Sequence, residues 1–193
     1  MIIRVVRYSL IAGVFALAGC TGAAGEPSTL SDLTAPPSGT PTPTASPTAE
    51  PPVEPDNAHE NSAEGVEAFT LYAIEVINYA YQTNDVTYLE LIMTPDCQTC
   101  ANVVNTLEAL ADDGGRIEGG QLIPELISVS GPADGVQTSA GIDLVLTASR
   151  SYDSEGALTN SAQDRKLQYI FDYRREDDRW MLDGVRRGAE RSS

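Results

Sequence analysis

Two cysteines three positions apart, in Cys97-Gln98-Thr99-Cys100, are the residues whose type and spacing could do chemistry. They follow Thr94-Pro95-Asp96 and begin an apolar-periodic run, so they fall on the first turn of a predicted helix, where the two sulfurs can meet. Two chemistries fit. One is a disulfide, whose small loop limits the entropic gain to about 2 kcal/mol. The other is dithiol exchange, with Cys97 favoured as thiolate by the helix N-terminus. A redox motif of that kind belongs after a strand. The segment ahead of Cys97 reads as helix, which favours the structural bond. Two cysteines without a nearby histidine supply too few soft ligands for zinc, and no metal or cofactor is expected.

Few other side chains could move a proton. The single histidine, His59, lies in a proline-rich segment and reads as solvated. Acid–base work would fall to carboxylates or tyrosine. Asp143 and Asp172 are the strand carboxylates to inspect, and both are expected to face water. Tyr72, Tyr169, Tyr173 and Trp180 are the candidates to line an apolar pocket between helix and sheet, or else plain core.

The elements that carry these residues follow from hydrophobic period. Asn61 and Glu64 have capping-box spacing ahead of an apolar run. Val66, Phe69, Ala73, Val76, Ile77 and Ala80 then recur with helical period, a face turned to a core. Asp85 can cap a second, shorter helix. Asp96 is the expected N-cap of the third, whose stripe is Cys100, Val103, Val104, Leu107, Leu110 and Ala111, and Gly114-Gly115 should end it. Residues 116–120 read as a turn. Residues 121–130 read as an edge or bulged strand, because Pro124 interrupts them. Ile142, Leu144 and Leu146 mark a strand, and 152–164 reads as a polar loop. Leu167, Tyr169, Phe171 and Tyr173 alternate along the cleanest strand. Glu176-Asp177-Asp178 turns the chain into a last strand carrying Trp180 and Leu182. Helices first and an antiparallel meander of about four strands afterwards is an α+β order.

Charge and composition bound the function. The 193 residues carry a net charge of −16, which argues against nucleic acid and against adhesion to an anionic bilayer through the protein surface. Arg174-Arg175 and Arg186-Arg187 are expected to pair with the domain's own acidic face. Nine of the 12 prolines fall within residues 21–64, among many Ser and Thr. Such a segment buries too little to offset its ordering entropy, and is expected to be a disordered stalk. The boundaries read as 1–19 signal, 20–64 stalk, 65–188 folded domain and 189–193 flexible tail.

Ahead of the stalk, Arg4 and Arg7 precede an uncharged apolar stretch, 10–18, too short to span a bilayer comfortably. It ends in Leu17-Ala18-Gly19-Cys20, which resembles the lipobox of bacterial lipoproteins. The resemblance implies cleavage before Cys20, diacylglycerol on its sulfur, and a protein on the extracytoplasmic face of the cell membrane. Cys97 and Cys100 would then pair in an oxidising compartment.

Glu64-Gly65-x-x-Ala68-Phe69, Pro95-Asp96-Cys97-x-x-Cys100 and Gly114-Gly115-Arg116-x-x-Gly119-Gly120, together with lipobox and stalk, resemble an actinobacterial lipoprotein family, the domain-of-unknown-function family 6318. The order of elements is similar to the cone-shaped nuclear-transport-factor-2-like fold, about three helices against a curved antiparallel sheet. These resemblances imply location and fold and transfer no catalytic residue. The favoured reading is a non-enzymatic binding or interaction module of the envelope, with an envelope protein or small apolar ligand as partner. An extracytoplasmic thiol-disulfide oxidoreductase using Cys97 and Cys100, and a hydrolytic cone-fold protein, are the alternatives.

Overall fold

Helix α1 (Ala63–Thr83) is the spine of the domain. The computed structural model describes residues 49–130 and 135–188. Cys20, the apolar leader and most of the expected stalk lie outside them. Val66, Phe69, Ala73, Val76 and Ala80 are fully buried along one face of α1, as their spacing predicts. The cap differs from expectation by one residue. Ser62, in extended conformation, accepts from the Gly65 amide at 3.0 Å, so Asn61 and Glu64 form no capping box. At the other end Asn84 adopts φ 59°, and its side chain donates to the Gly115 carbonyl.

Helix α2 (Thr87–Ile92) is short, and Asp85 accepts from the Thr87 amide at its start. Helix α3 (Gln98–Asp112) buries Cys100, Val104 and Leu107. Its N-cap is Cys97, whose Sγ accepts from the Cys100 amide, and not Asp96. Asp96 turns outward to Arg174 instead. Ala111, expected on the apolar stripe, is exposed because the stripe leaves the core in the last turn. Gly114 follows at φ 69°, the left-handed residue that ends the helix.

The strands form two antiparallel sheets. The larger has the order β2 (Leu122–Ser130), β3 (Gln137–Leu146), β6 (Arg165–Glu176), β7 (Arg179–Arg187). It is the four-stranded meander expected. Pro124 sits on its edge strand at a register shift between Pro124 and Leu126, where a missing amide costs no ladder bond. Asp177 and Asp178, at φ 46° and 62°, make the tight two-residue turn between β6 and β7.

The smaller sheet has the order β1 (Arg116–Gly119), β4 (Ser149–Tyr152), β5 (Leu158–Ala162). It corrects the readings of 116–120 as a turn and 152–164 as a loop. These strands are short and polar and bury little, so periodicity does not mark them. Their pairing with one another holds them.

The core lies between helices and large sheet. Trp180, Tyr173, Phe69 and Phe171 are its largest fully buried side chains. Tyr173 donates to Thr70 at 2.8 Å, and Thr70 donates on to the Val66 carbonyl at 2.7 Å. The buried hydroxyls of Tyr173 and Thr70 are thereby both partnered.

The domain begins earlier than residue 65. A short 3₁₀ turn, Asp56–His59, buries Ala58 completely. Glu54 accepts from Arg179 at 3.1 Å, the His59 carbonyl from Arg175 at 3.0 Å, and the Glu60 carbonyl from the Trp180 indole at 2.9 Å. Residues 54–62 are therefore a strap on the β6–β7 hairpin. The stalk reading fails here because the partners of these residues lie over a hundred positions downstream. His59 is exposed, with Nδ1 3.6 Å from Glu54.

Candidate functional site

Strand β6 alternates, so Arg165, Leu167, Tyr169, Phe171 and Tyr173 project to one face. The inner members close the core. The outer ones leave a half-open cavity of about 310 Å³. One wall is the large sheet, with Leu122, Leu146, Tyr169 and Phe171. Helices α1 and α3 supply Ile77, Tyr81, Cys100 and Val103 opposite. The small sheet closes the end with Ile117, Ser149 and Ser151. Ile77 and Val103 belong to predicted apolar stripes yet are only half-buried, because each faces this space.

The cavity is mainly apolar. Burial pushes the Tyr81 phenol up, with a smaller push from neighbouring Tyr169, so it is a neutral donor at ordinary pH. Arg165 lines the cavity while remaining exposed, which sets it at the rim.

Of the four aromatics expected to line a pocket, the structure brings only Tyr169 there. Tyr72, Tyr173 and Trp180 are corrected to core. Tyr72 packs 6.3 Å from Phe69, and Tyr173 meets Phe69 edge-on at 5.5 Å. They sit at the filled end of the fold, which the strand period cannot distinguish from the hollow end. Tyr81 was missed as a lining residue, although it follows Ile77 by one helical turn. Arg165 was missed although it shares the parity of Tyr169.

Neither inspected carboxylate lines the cavity. Asp143 accepts from Gln168 at 2.6 Å. Asp172 accepts from Ser139 at 2.7 Å and from Arg186 at 2.9 Å. Burial acts to raise the Asp172 carboxyl, but the bonds from Arg186 and Ser139 outweigh it and hold the group below its ordinary value. Arg174 likewise pairs with Asp183 at 3.0 Å, as expected of it, of Arg175 and of Arg186, whereas Arg187 is in no ion pair among the described residues. Among the described residues, no three His, Cys, Asp or Glu gather as a metal site would require.

Cys97 and Cys100 are disulfide-bonded, with sulfurs 2.00 Å apart and Cα atoms 5.3 Å apart. Cys97 is 0% and Cys100 3% exposed. Exchange needs a thiolate to reach one of the sulfurs, and burial withholds both from a protein thiol. The bond pins the first turn of α3, which Thr99 also fastens to the Val185 carbonyl at 2.9 Å.

Three helices on an antiparallel sheet, with a cavity where the second sheet meets them, define an α+β fold of the nuclear-transport-factor-2-like class. Within that class, residues 40–186 match the family of unknown function DUF6318, and the chain belongs to that family. The match includes the strap. No curated protein matches the chain. Among solved structures, the intermembrane-space region of the chloroplast protein ARC6 is similar, with TM-score 0.53 and 16% identity over 67% of this chain and 98% of that one. An uncharacterized protein with a cystatin-like fold from Caulobacter vibrioides is similar over 64% of this chain and 87% of its own, at 15% identity and TM-score 0.42. An NTF2-like protein with a cystatin-like fold from Novosphingobium aromaticivorans covers 68% and 92%, at 14% identity and TM-score 0.37. At these identities the likeness concerns fold alone.

Proposed function

We propose that this chain is an actinobacterial cell-envelope lipoprotein whose domain is a non-enzymatic binding module for a small apolar ligand. The half-open apolar cavity between α1, α3 and β6 carries this reading. Its size falls at the small end of ligand sites, and such sites are mostly apolar with few polar groups. No carboxylate or histidine lines it among the described residues, and its Tyr81 phenol is held protonated by burial, so its walls offer shape, burial and a neutral donor.

Attachment rests on the lipobox-like Leu17-Ala18-Gly19-Cys20. Acylation at Cys20 would hold the protein to the extracytoplasmic face of the membrane, since two or three chains anchor where one does so marginally. The proline-rich segment between it and the strap would stand the domain off, by about 30 Å as a coil. The family resemblance and an envelope disulfide support the same location.

Two measurements test the reading. Labelled palmitate should enter the wild-type chain expressed in an actinobacterial host and be absent from Cys20→Ala; label in neither protein removes the anchor. Thermal-shift screening of the purified protein against envelope lipids should raise the melting temperature with at least one single-chain amphiphile; no shift with any removes the ligand.

A further inference from the structure

The rim of the cavity has a charge that the rest of its wall lacks. Arg165 is the only charged side chain lining it among the described residues. The ion pairs among those residues engage Arg116, Lys166, Arg174, Arg175, Arg179 and Arg186, and Arg165 is in none of them. Arg150 and Arg187 are likewise in none of them, but of these three arginines only Arg165 lines the cavity. Its neighbour Asp164 is engaged elsewhere, accepting from the Ala148 amide. That bond draws the start of β4 to the start of β6. Ser149 and Ser151 line the cavity together with Arg165, as do the apolar Leu89, Phe171 and Leu182.

We propose that the ligand of this cavity is a long-chain monocarboxylate, its chain inside and its head at Arg165. The assignment rests on the binding-module reading and names its ligand class. Geometry sets the chain. From Arg165 to Phe171 along β6 is about 20 Å at roughly 3.3 Å per residue. A space of about 310 Å³ holds about ten methylene-sized groups if each takes roughly the 30 Å³ of a liquid water. Charge sets the head. A guanidinium presents a planar fork that a carboxylate meets with two hydrogen bonds. A phosphate monoester brings a charge nearer −2, and one arginine in a strongly acidic protein leaves part of it uncompensated. The overall negative charge repels any anion at long range. Within about 8 Å at physiological salt the adjacent arginine dominates.

Equilibrium dialysis of the full chain, below micellar concentrations, tests the proposal with dodecanoate, dodecanol, dodecyl phosphate and dodecyltrimethylammonium. Wild-type protein should bind one dodecanoate more tightly than any other probe. Arg165→Met should lose about ten- to a hundredfold in dodecanoate affinity, the worth of a hydrogen bond to a charged group. It should keep its dodecanol affinity and its melting temperature, because Arg165 is exposed. Val103→Trp should weaken both by occupying part of the space. Equal binding of dodecanol and dodecanoate, or tighter binding of the phosphate or the cation, overturns the head-group assignment and leaves the apolar cavity standing. Binding of none of the four overturns the binding-module reading itself.

Discussion

The indole Nε1 of Trp180 donates to the carbonyl oxygen of Glu60 at 2.9 Å. One residue opens the last strand and the other precedes the first helix, so the bond closes the domain end to end. It also makes residues 54–62 part of the fold. Trp180→Phe keeps most of the buried ring but orphans that carbonyl. The loss should be about 1–3 kcal/mol by urea unfolding. An unchanged midpoint would show that this bond contributes nothing.

The same carbonyl explains the glycine that follows. A Cβ on Gly65 would lie 2.2 Å from Glu60 O. Gly65→Ala must therefore push the strap away from Trp180 or distort the first turn of α1. Overpacking of this kind costs about 1–3 kcal/mol. The variant should also become sensitive to limited proteolysis near residue 60. Wild-type resistance at that site would contradict the packing described.

Asp172 makes stability depend on pH on the acid side. Its folded carboxyl lies below the ordinary value of 3.8, because Arg186 and Ser139 outweigh burial. A depressed pKa contributes stability above the unfolded value, and the contribution is lost as pH falls through the folded one. Asp172→Asn should be less stable than wild type at pH 7 and converge toward it below about pH 4. Parallel stability curves for the two proteins would rule this pair out as a source of acid sensitivity.

The Cys97–Cys100 bond should matter for stability and not for catalysis. Replacing both with serine removes about 2 kcal/mol by the loop-entropy argument, and loosens the α3 turn that borders the cavity. An insulin-reduction assay should read the same with wild type and variant. A wild-type rate well above the variant's would restore the oxidoreductase reading.

Much of the architecture was legible because it is local. Val66 to Ala80 buries as its period predicts, and Leu167 to Tyr173 alternates as read. Pro124 marks the edge strand because a missing amide is a local fact. The capping positions were off by one, since Ser62 and Cys97 compete with Asn61 and Asp96 and the choice depends on backbone angles. Strands β1 and β5 were illegible, because four or five polar residues hold together only through partners elsewhere in the chain.

Sequence alone determined which faces of α1, α3 and β6 are apolar, and that Cys97 and Cys100 are near enough to bond. Both follow from the repeat of the backbone, which any short stretch of residues expresses by itself. Tertiary structure alone decided that Tyr173 and Trp180 fill the core while Tyr169 faces a hollow, that Glu60 meets Trp180, and that Arg165 stands at the rim. Those outcomes depend on which distant segments pair and how much volume they leave, and no local pattern encodes a volume.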